Sequence, residues 1–118
     1  MAKKKILVVD DEKDCCKLLQ DYFIKFGHIV YTAHDGDKAA ELLNLQTFDY
    51  VFLDCSMPGL TGVELIKVIK EKSPGAKMIM ISGYELINED LAKELGIDLF
   101  IRKPFSLEKI MKEIIKNA

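Results

Sequence analysis

A chain of 118 residues, 49% hydrophobic and 31% charged, has the size and apolar content of one compact domain with its own buried core. Lys and Arg number 17 against 19 Asp and Glu, a net charge of −2 that excludes a general electrostatic drive toward nucleic acid. No stretch approaches the roughly 18 apolar residues of a membrane span, and the apolar part of the opening MAKKKILVVDDE is too short for a signal peptide, so the expected location is cytoplasmic, without membrane insertion.

The predicted elements alternate. KILVV (5–9) is a short apolar run of the kind that forms a strand buried on both faces, the mark of a parallel sheet. After it, Cys15, Leu18, Leu19, Tyr22, Phe23 and Phe26 keep the i, i+3, i+4, i+7 spacing of one helix face, and Gly27 stands where that helix stops. IVYTA (29–33) is the second strand, and Ala39, Leu42 and Leu43 mark the helix behind it. YVFLD (50–54) is the third, followed by a helix through Val63, Ile66 and Ile69. KMIMIS (77–82) leads into a helix through Ile87, Leu91 and Leu95 that Gly96 ends. DLFIR (98–102) is the fifth strand, and the last helix carries Leu107, Ile110, Met111, Ile114 and Ile115 behind a Ser106 cap.

Five βα units joined by right-handed crossovers give an α/β fold, a doubly wound five-stranded parallel sheet flanked by five helices. No repeat, low-complexity tract or linker interrupts it, so residues 1–118 are expected to form a single domain. Sheets of this kind bind ligands beyond the carboxyl ends of their strands. Asp10 and Asp11 follow the first strand, Asp54 ends the third, Ser82 ends the fourth and Lys103 follows the fifth.

Taken singly, each of these residues has an ordinary structural reading. Asp10 and Asp11 suit the start of a helix, Asp54 a turn in DCSMPG, Ser82 a turn, and Lys103 a solvated head on an apolar stem. Gathered at one edge they acquire a chemistry. Three crowded carboxylates repel and destabilise the fold unless a cation joins them. Oxygen ligands with room for water suit Mg²⁺, which also grips phosphoryl oxygens. Lysine adds a point charge for a phosphate and serine a hydrogen bond. The phosphate loops GxxxxGK and GxGxxG are both absent, so the phosphoryl group would be carried covalently, with a carboxylate as nucleophile.

The set VVDDE, LDCSMPGLTG, MISG and RKPF, in this order and spacing, resembles the receiver domain of bacterial two-component response regulators over essentially the whole chain. The resemblance implies the flavodoxin-like strand order 2-1-3-4-5. It implies that Asp54 accepts a phosphoryl group from a histidine kinase or histidine phosphotransferase. It also implies that Asp11 binds Mg²⁺ directly, Asp10 largely through water, and Ser56 through its backbone carbonyl. Ser82 and Lys103 then contact the phosphoryl group, Phe100 turns inward with Ser82, and the Lys103–Pro104 bond is cis. Ser56 and Tyr84 flank the phosphoryl group and tune its lifetime. Signalling follows through the face of helix 4, strand 5 and helix 5, to a downstream target protein or to a phosphotransferase. Such a protein catalyses its own phosphorylation and dephosphorylation without being a conventional turnover enzyme.

Two positions depart from the family's usual residues. Ser82 replaces the commoner threonine and keeps the hydroxyl, and Thr61 stands where the PGLTG loop usually has an acid. Cys15, Cys16 and Cys55 match neither a disulfide framework nor a zinc spacing and read as reduced packing thiols. His28 and His34 lack a partner pattern and read as solvated loop residues.

A stand-alone switch, a relay intermediate of the sporulation type and a receiver excised from a longer regulator all fit the resemblance, and GYELINEDLAKELG is somewhat closer to the relay type. An aspartyl-phosphate hydrolase of the haloacid dehalogenase type uses similar residues, but its nucleophile lies in a DxD motif on the first strand, where this chain has DD. A flavodoxin-like flavin binder lacks its phosphate loop here.

Overall fold

The computed structural model describes residues 3–54, 62–82 and 89–116. Strand β1 (Lys5–Val9) leads to α1 (Lys13–Lys25), β2 (Ile29–Ala33) to α2 (Gly36–Leu45), and β3 (Tyr50–Asp54) to α3 (Gly62–Lys72). Then β4 (Lys77–Ser82) precedes α4 (Glu89–Glu94), and β5 (Leu99–Arg102) precedes α5 (Leu107–Lys116). The apolar runs form the strands as their periodicity predicts, with β5 starting one residue later than DLFIR suggests.

All neighbouring strands pair in parallel, in the order β2-β1-β3-β4-β5. The chain moves outward from β1 to β2, then returns past β1 to build β3, β4 and β5. That reversal opens a crevice at the carboxyl ends of β1 and β3. Alternation along each strand divides the core in two. Ile6, Val8, Phe52, Ile79, Ile81 and Ile101 pack with Cys16, Leu19, Phe23, Ile110 and Met111 of α1 and α5. Leu7, Val9, Val51, Leu53, Met78 and Met80 pack with side chains of α2, α3 and α4. Burying one such large apolar side chain contributes about 1.5–3 kcal/mol, which is what ties each helix to its face.

Helix α1 sits rotated from its predicted register. Its buried line is Cys16, Leu19 and Phe23, while Leu18 and Phe26, read from the sequence as core, are 51% and 45% exposed. The apolar stripe of α1 is wider than the surface β1 and β3 offer it, and the excess faces solvent. Gly27 and Gly96 have φ of +88° and +87°, the left-handed conformation that lets a helix end and the chain turn into the next strand.

The amino-terminal edge of the sheet is closed by side chains. Asp49 Oδ2 accepts from the Lys5 N–H at 2.8 Å, Asp98 Oδ2 from Met78 at 2.8 Å, and Ser73 Oγ from Phe48 at 2.8 Å. His28 belongs to this set, contrary to its expected place in solvent. It is 4% exposed, its Nδ1 accepts from the Lys4 N–H at 3.0 Å, and its ring lies edge-on to Phe23. Gly27 turns the chain back under β1, which carries His28 inside.

Candidate functional site

The carboxyl edge is where the acidic residues at the strand ends gather. Val9 of β1 pairs with Leu53 of β3, so Asp10 and Asp54 are the next residues on two adjacent strands. Asp54 is in register with Ile81, and Ser82 with Arg102. Ser82 is buried, and its carbonyl accepts from the Lys103 N–H at 2.9 Å. Lys103 is thereby anchored by backbone beside the end of β4, and the Lys103–Pro104 peptide is cis.

Asp10 is 4% exposed, a position a carboxylate takes only with compensation. Its N–H donates to Ala33 O at 3.0 Å, and its Oδ1 accepts from the Glu12 N–H at 3.0 Å. Its Oδ2 lies 4.0 Å from Lys103 Nζ, which is also 3.9 Å from Glu12 Oε1. Both distances sit at the outer limit of an ion pair, so the ammonium group is shared loosely between two carboxylates.

Asp10, Asp11 and Glu12 each offer a carboxylate oxygen within 4.8 Å of the others. Asp10 is buried while Asp11 and Glu12 are exposed, which leaves one side of the cluster open to water. Hard oxygen donors with solvent access fit Mg²⁺, which keeps several of its waters. Glu12 is the member that sequence reasoning passed over. Its signal was present as the third acid of VVDDE, but its pairing with Lys103 depends on the turn before α1.

Behind this cluster stand two cysteines and a histidine. Cys16 is buried and its thiol donates to the Asp10 carbonyl oxygen at 3.2 Å. His34, exposed after β2, brings Nδ1 to 3.3 Å from the same oxygen. Cys15 is half-buried, and its thiol is pushed up to about 12, first by burial and then by hydrogen bonding to Asp10 and the charge there. It also lines a groove of about 720 Å³ between α1 and the start of α5, with Asp14, Leu18, Pro104, Phe105 and Leu107.

Phe100 is half-buried against the core on the α2–α4 face, and the Arg102 guanidinium lies 5.0 Å from its ring centre. Of the other expected site residues, Asp54 is described through its backbone, while Ser56 and Tyr84 lie outside the described residues, as do Cys55 and Thr61. Among the described residues no helix is long and apolar enough to cross a membrane.

Comparison with known proteins follows the same lines. The model of the response regulator receiver domain matches residues 6–115. The structure is similar to that of NtrX from Brucella abortus, with 34% identity and a TM-score of 0.88 over 98% of this chain and 27% of that one. This chain thus spans about a quarter of NtrX. It is also similar to the response regulator TrrA from Thermotoga maritima, solved in complex with Mg²⁺-BeF, with 31% identity and a TM-score of 0.84 over 98% of this chain and 99% of that one. The chemotaxis response regulator CheY4 of Vibrio cholerae shares the fold, with 24% identity and a TM-score of 0.87 over 99% and 100% of the two chains.

Proposed function

Because this chain belongs to the response regulator receiver domain family, whose members accept phosphoryl groups in two-component signalling, we propose that it takes a phosphoryl group onto Asp54 and passes the signal on by changing its surface. The observation that carries this reading is the Lys103 ammonium beside Asp10 and Glu12, at the carboxyl ends of the strands next to the end of β3. It supplies a cation that a phosphoryl group on Asp54 can recruit.

Asp10, Asp11 and Glu12, with the Ser56 carbonyl and Asp54, would hold Mg²⁺, and TrrA was solved with that ion. When bound, Mg²⁺ neutralises phosphoryl oxygens and aligns the group for transfer. The rest is the work of the protein's own groups. An Asp54 carboxylate oxygen forms the new P–O bond as the P–N bond of the donor's phosphohistidine breaks, and the imidazole nitrogen keeps the bonding pair. Asp10 and Glu12 hold Lys103 close by until then. The incoming charge draws the ammonium away from its loose pairs and draws the Ser82 hydroxyl in the same direction.

Movement of Ser82 is the start of the switch. Phe100, half-buried on the next strand, turns toward the space Ser82 leaves, and the α4-β5-α5 face changes shape for a downstream partner. The groove beside Asp14, Cys15 and Leu18 is the surface offered to a histidine kinase or histidine phosphotransferase, because it opens next to the carboxylates. The function is exercised in the cytoplasm, by a single receiver domain over 1–118, with Ser56 and Tyr84 setting the lifetime of the phosphoryl group.

Incubation with Mg²⁺ and acetyl phosphate, followed by intact mass, tests the proposal. One added phosphoryl group is expected, dependent on Mg²⁺ and lost in Asp54→Asn. An Asp54→Asn variant that still gains the group, or a folded parent that gains none from acetyl phosphate or from a phosphohistidine donor, would remove it.

A further inference from the structure

The peptide that joins Asp10 to Asp11 is gripped at its carbonyl oxygen. Asp10 O accepts from the Cys16 thiol at 3.2 Å and lies 3.3 Å from His34 Nδ1. A carbonyl oxygen can only accept, so this contact requires the proton of the imidazole to be on Nδ1. The two groups come from different elements, one from the first turn of α1 and one from the bend after β2. Neither has a part in the phosphoryl chemistry above.

We propose that His34, seconded by Cys16, is a positioning residue for the metal-binding carboxylates, fixing the Asp10–Asp11 peptide so that both side chains leave the backbone in the directions the ion needs. The inference rests on the reading that this cluster takes Mg²⁺. A peptide group is planar, so holding its carbonyl oxygen fixes the orientation of the bonds at both flanking Cα atoms. Asp10 is the last residue there with a ladder bond, its N–H to Ala33 O, and Asp11 already lies in a bend. The Asp10 carbonyl is therefore the last place where the sheet can control Asp11.

Mg²⁺ makes that control matter, because it demands near-ideal octahedral geometry and tolerates little displacement of its ligands. A thiol is a weak donor, and the imidazole N–H carries the larger share of the grip. His34 is exposed, so its replacement disturbs the core little. It touches neither the ion nor the phosphoryl group, and its effect passes through Asp10.

The test measures Mg²⁺ affinity by titration calorimetry on the full chain, and melting without metal, for His34→Ala, His34→Asn and His34→Gln. Asparagine can put its amide N–H where Nδ1 stands, whereas glutamine carries it a bond too far. His34→Ala and His34→Gln should bind Mg²⁺ about fivefold more weakly, the loss expected of one net hydrogen bond, and melt slightly lower without metal for want of the same hydrogen bond, with His34→Asn close to the parent in both. Parent-like affinity in His34→Ala, or an asparagine variant as weak as alanine, overturns the proposal. If His34→Ala fails to fold, the asparagine and glutamine pair decides by the same difference. A parent that binds no Mg²⁺ overturns both this inference and the reading beneath it, while Mg²⁺ binding that ignores His34 overturns this one alone.

Discussion

Replacing Asp11 with asparagine should stabilise the metal-free protein and destabilise it relative to the parent once Mg²⁺ is present. The carboxylate oxygens of Asp10, Asp11 and Glu12 lie within 4.8 Å of one another, and two unit charges at that distance repel by about 0.9 kcal/mol even at the dielectric constant of water. Asp11→Asn removes two such repulsions at once. Asp11 makes no close ion pair with Lys103, which lies nearest Asp10 and Glu12, so less attraction is lost than repulsion is relieved. Ionic screening around the exposed Asp11 trims the gain to about 1–1.5 kcal/mol, or roughly 3–9 °C in melting temperature for a domain of this size.

Mg²⁺ reverses the order. The parent gains about 2.7 kcal/mol when the free ion stands about 100-fold above its dissociation constant, and a variant lacking a ligand gains much less. Melting followed by circular dichroism at low salt, first with EDTA and then with millimolar Mg²⁺, reads both halves. The advantage of the variant in EDTA should shrink as salt is added, because repulsion at an exposed site is screened. An Asp11→Asn protein that melts below the parent in EDTA would show that repulsion does not dominate this cluster. Equal stabilisation by Mg²⁺ would show that Asp11 is no ligand.

Other regions give independent expectations. Burial holds the His28 imidazole below its ordinary value, so the unfolded chain takes up the proton first; stability should be complete above about pH 6.5 and decline as pH falls below it. His28→Gln should flatten that decline in urea titrations run on both sides of this pH. With its thiol pushed up to about 12, Cys15 should react slowly with iodoacetamide at mildly alkaline pH despite lining a groove, and Asp10→Asn should speed the labelling of its peptide as read by mass. Gly96→Ala should cost about 1–2 kcal/mol in denaturant unfolding, since φ is +87° there; the Lys70 side chain in the path of the new methyl group can swing aside and adds little.

The apolar runs of β1, β3 and β4 determined their own burial, because a strand covered on both faces must be apolar at nearly every position, whereas the edge strands β2 and β5, equally apolar in sequence, stay mostly half-buried. The glycines at 27 and 96 fixed where two helices end for a similarly local reason, a backbone conformation that side chains disfavour. The acids, Ser82 and Lys103 were legible too, as residues at strand ends that an alternating topology must bring to one edge. Strand order was legible only through family resemblance, since periodicity does not say which strand lies beside which.

What the tertiary structure decided is which side of each group meets which neighbour. Helix α1 chose Cys16, Leu19 and Phe23 for the core and left Leu18 and Phe26 outside, because its rotation is set by the sheet beneath it. His28 and His34 look alike in sequence, each beside a turn, yet one is sealed under the sheet and the other reaches the Asp10 carbonyl. Glu12 became a partner of Lys103 across more than 90 residues of chain. These contacts join residues that no local pattern relates, and they exist only once the strands have paired and the helices have packed.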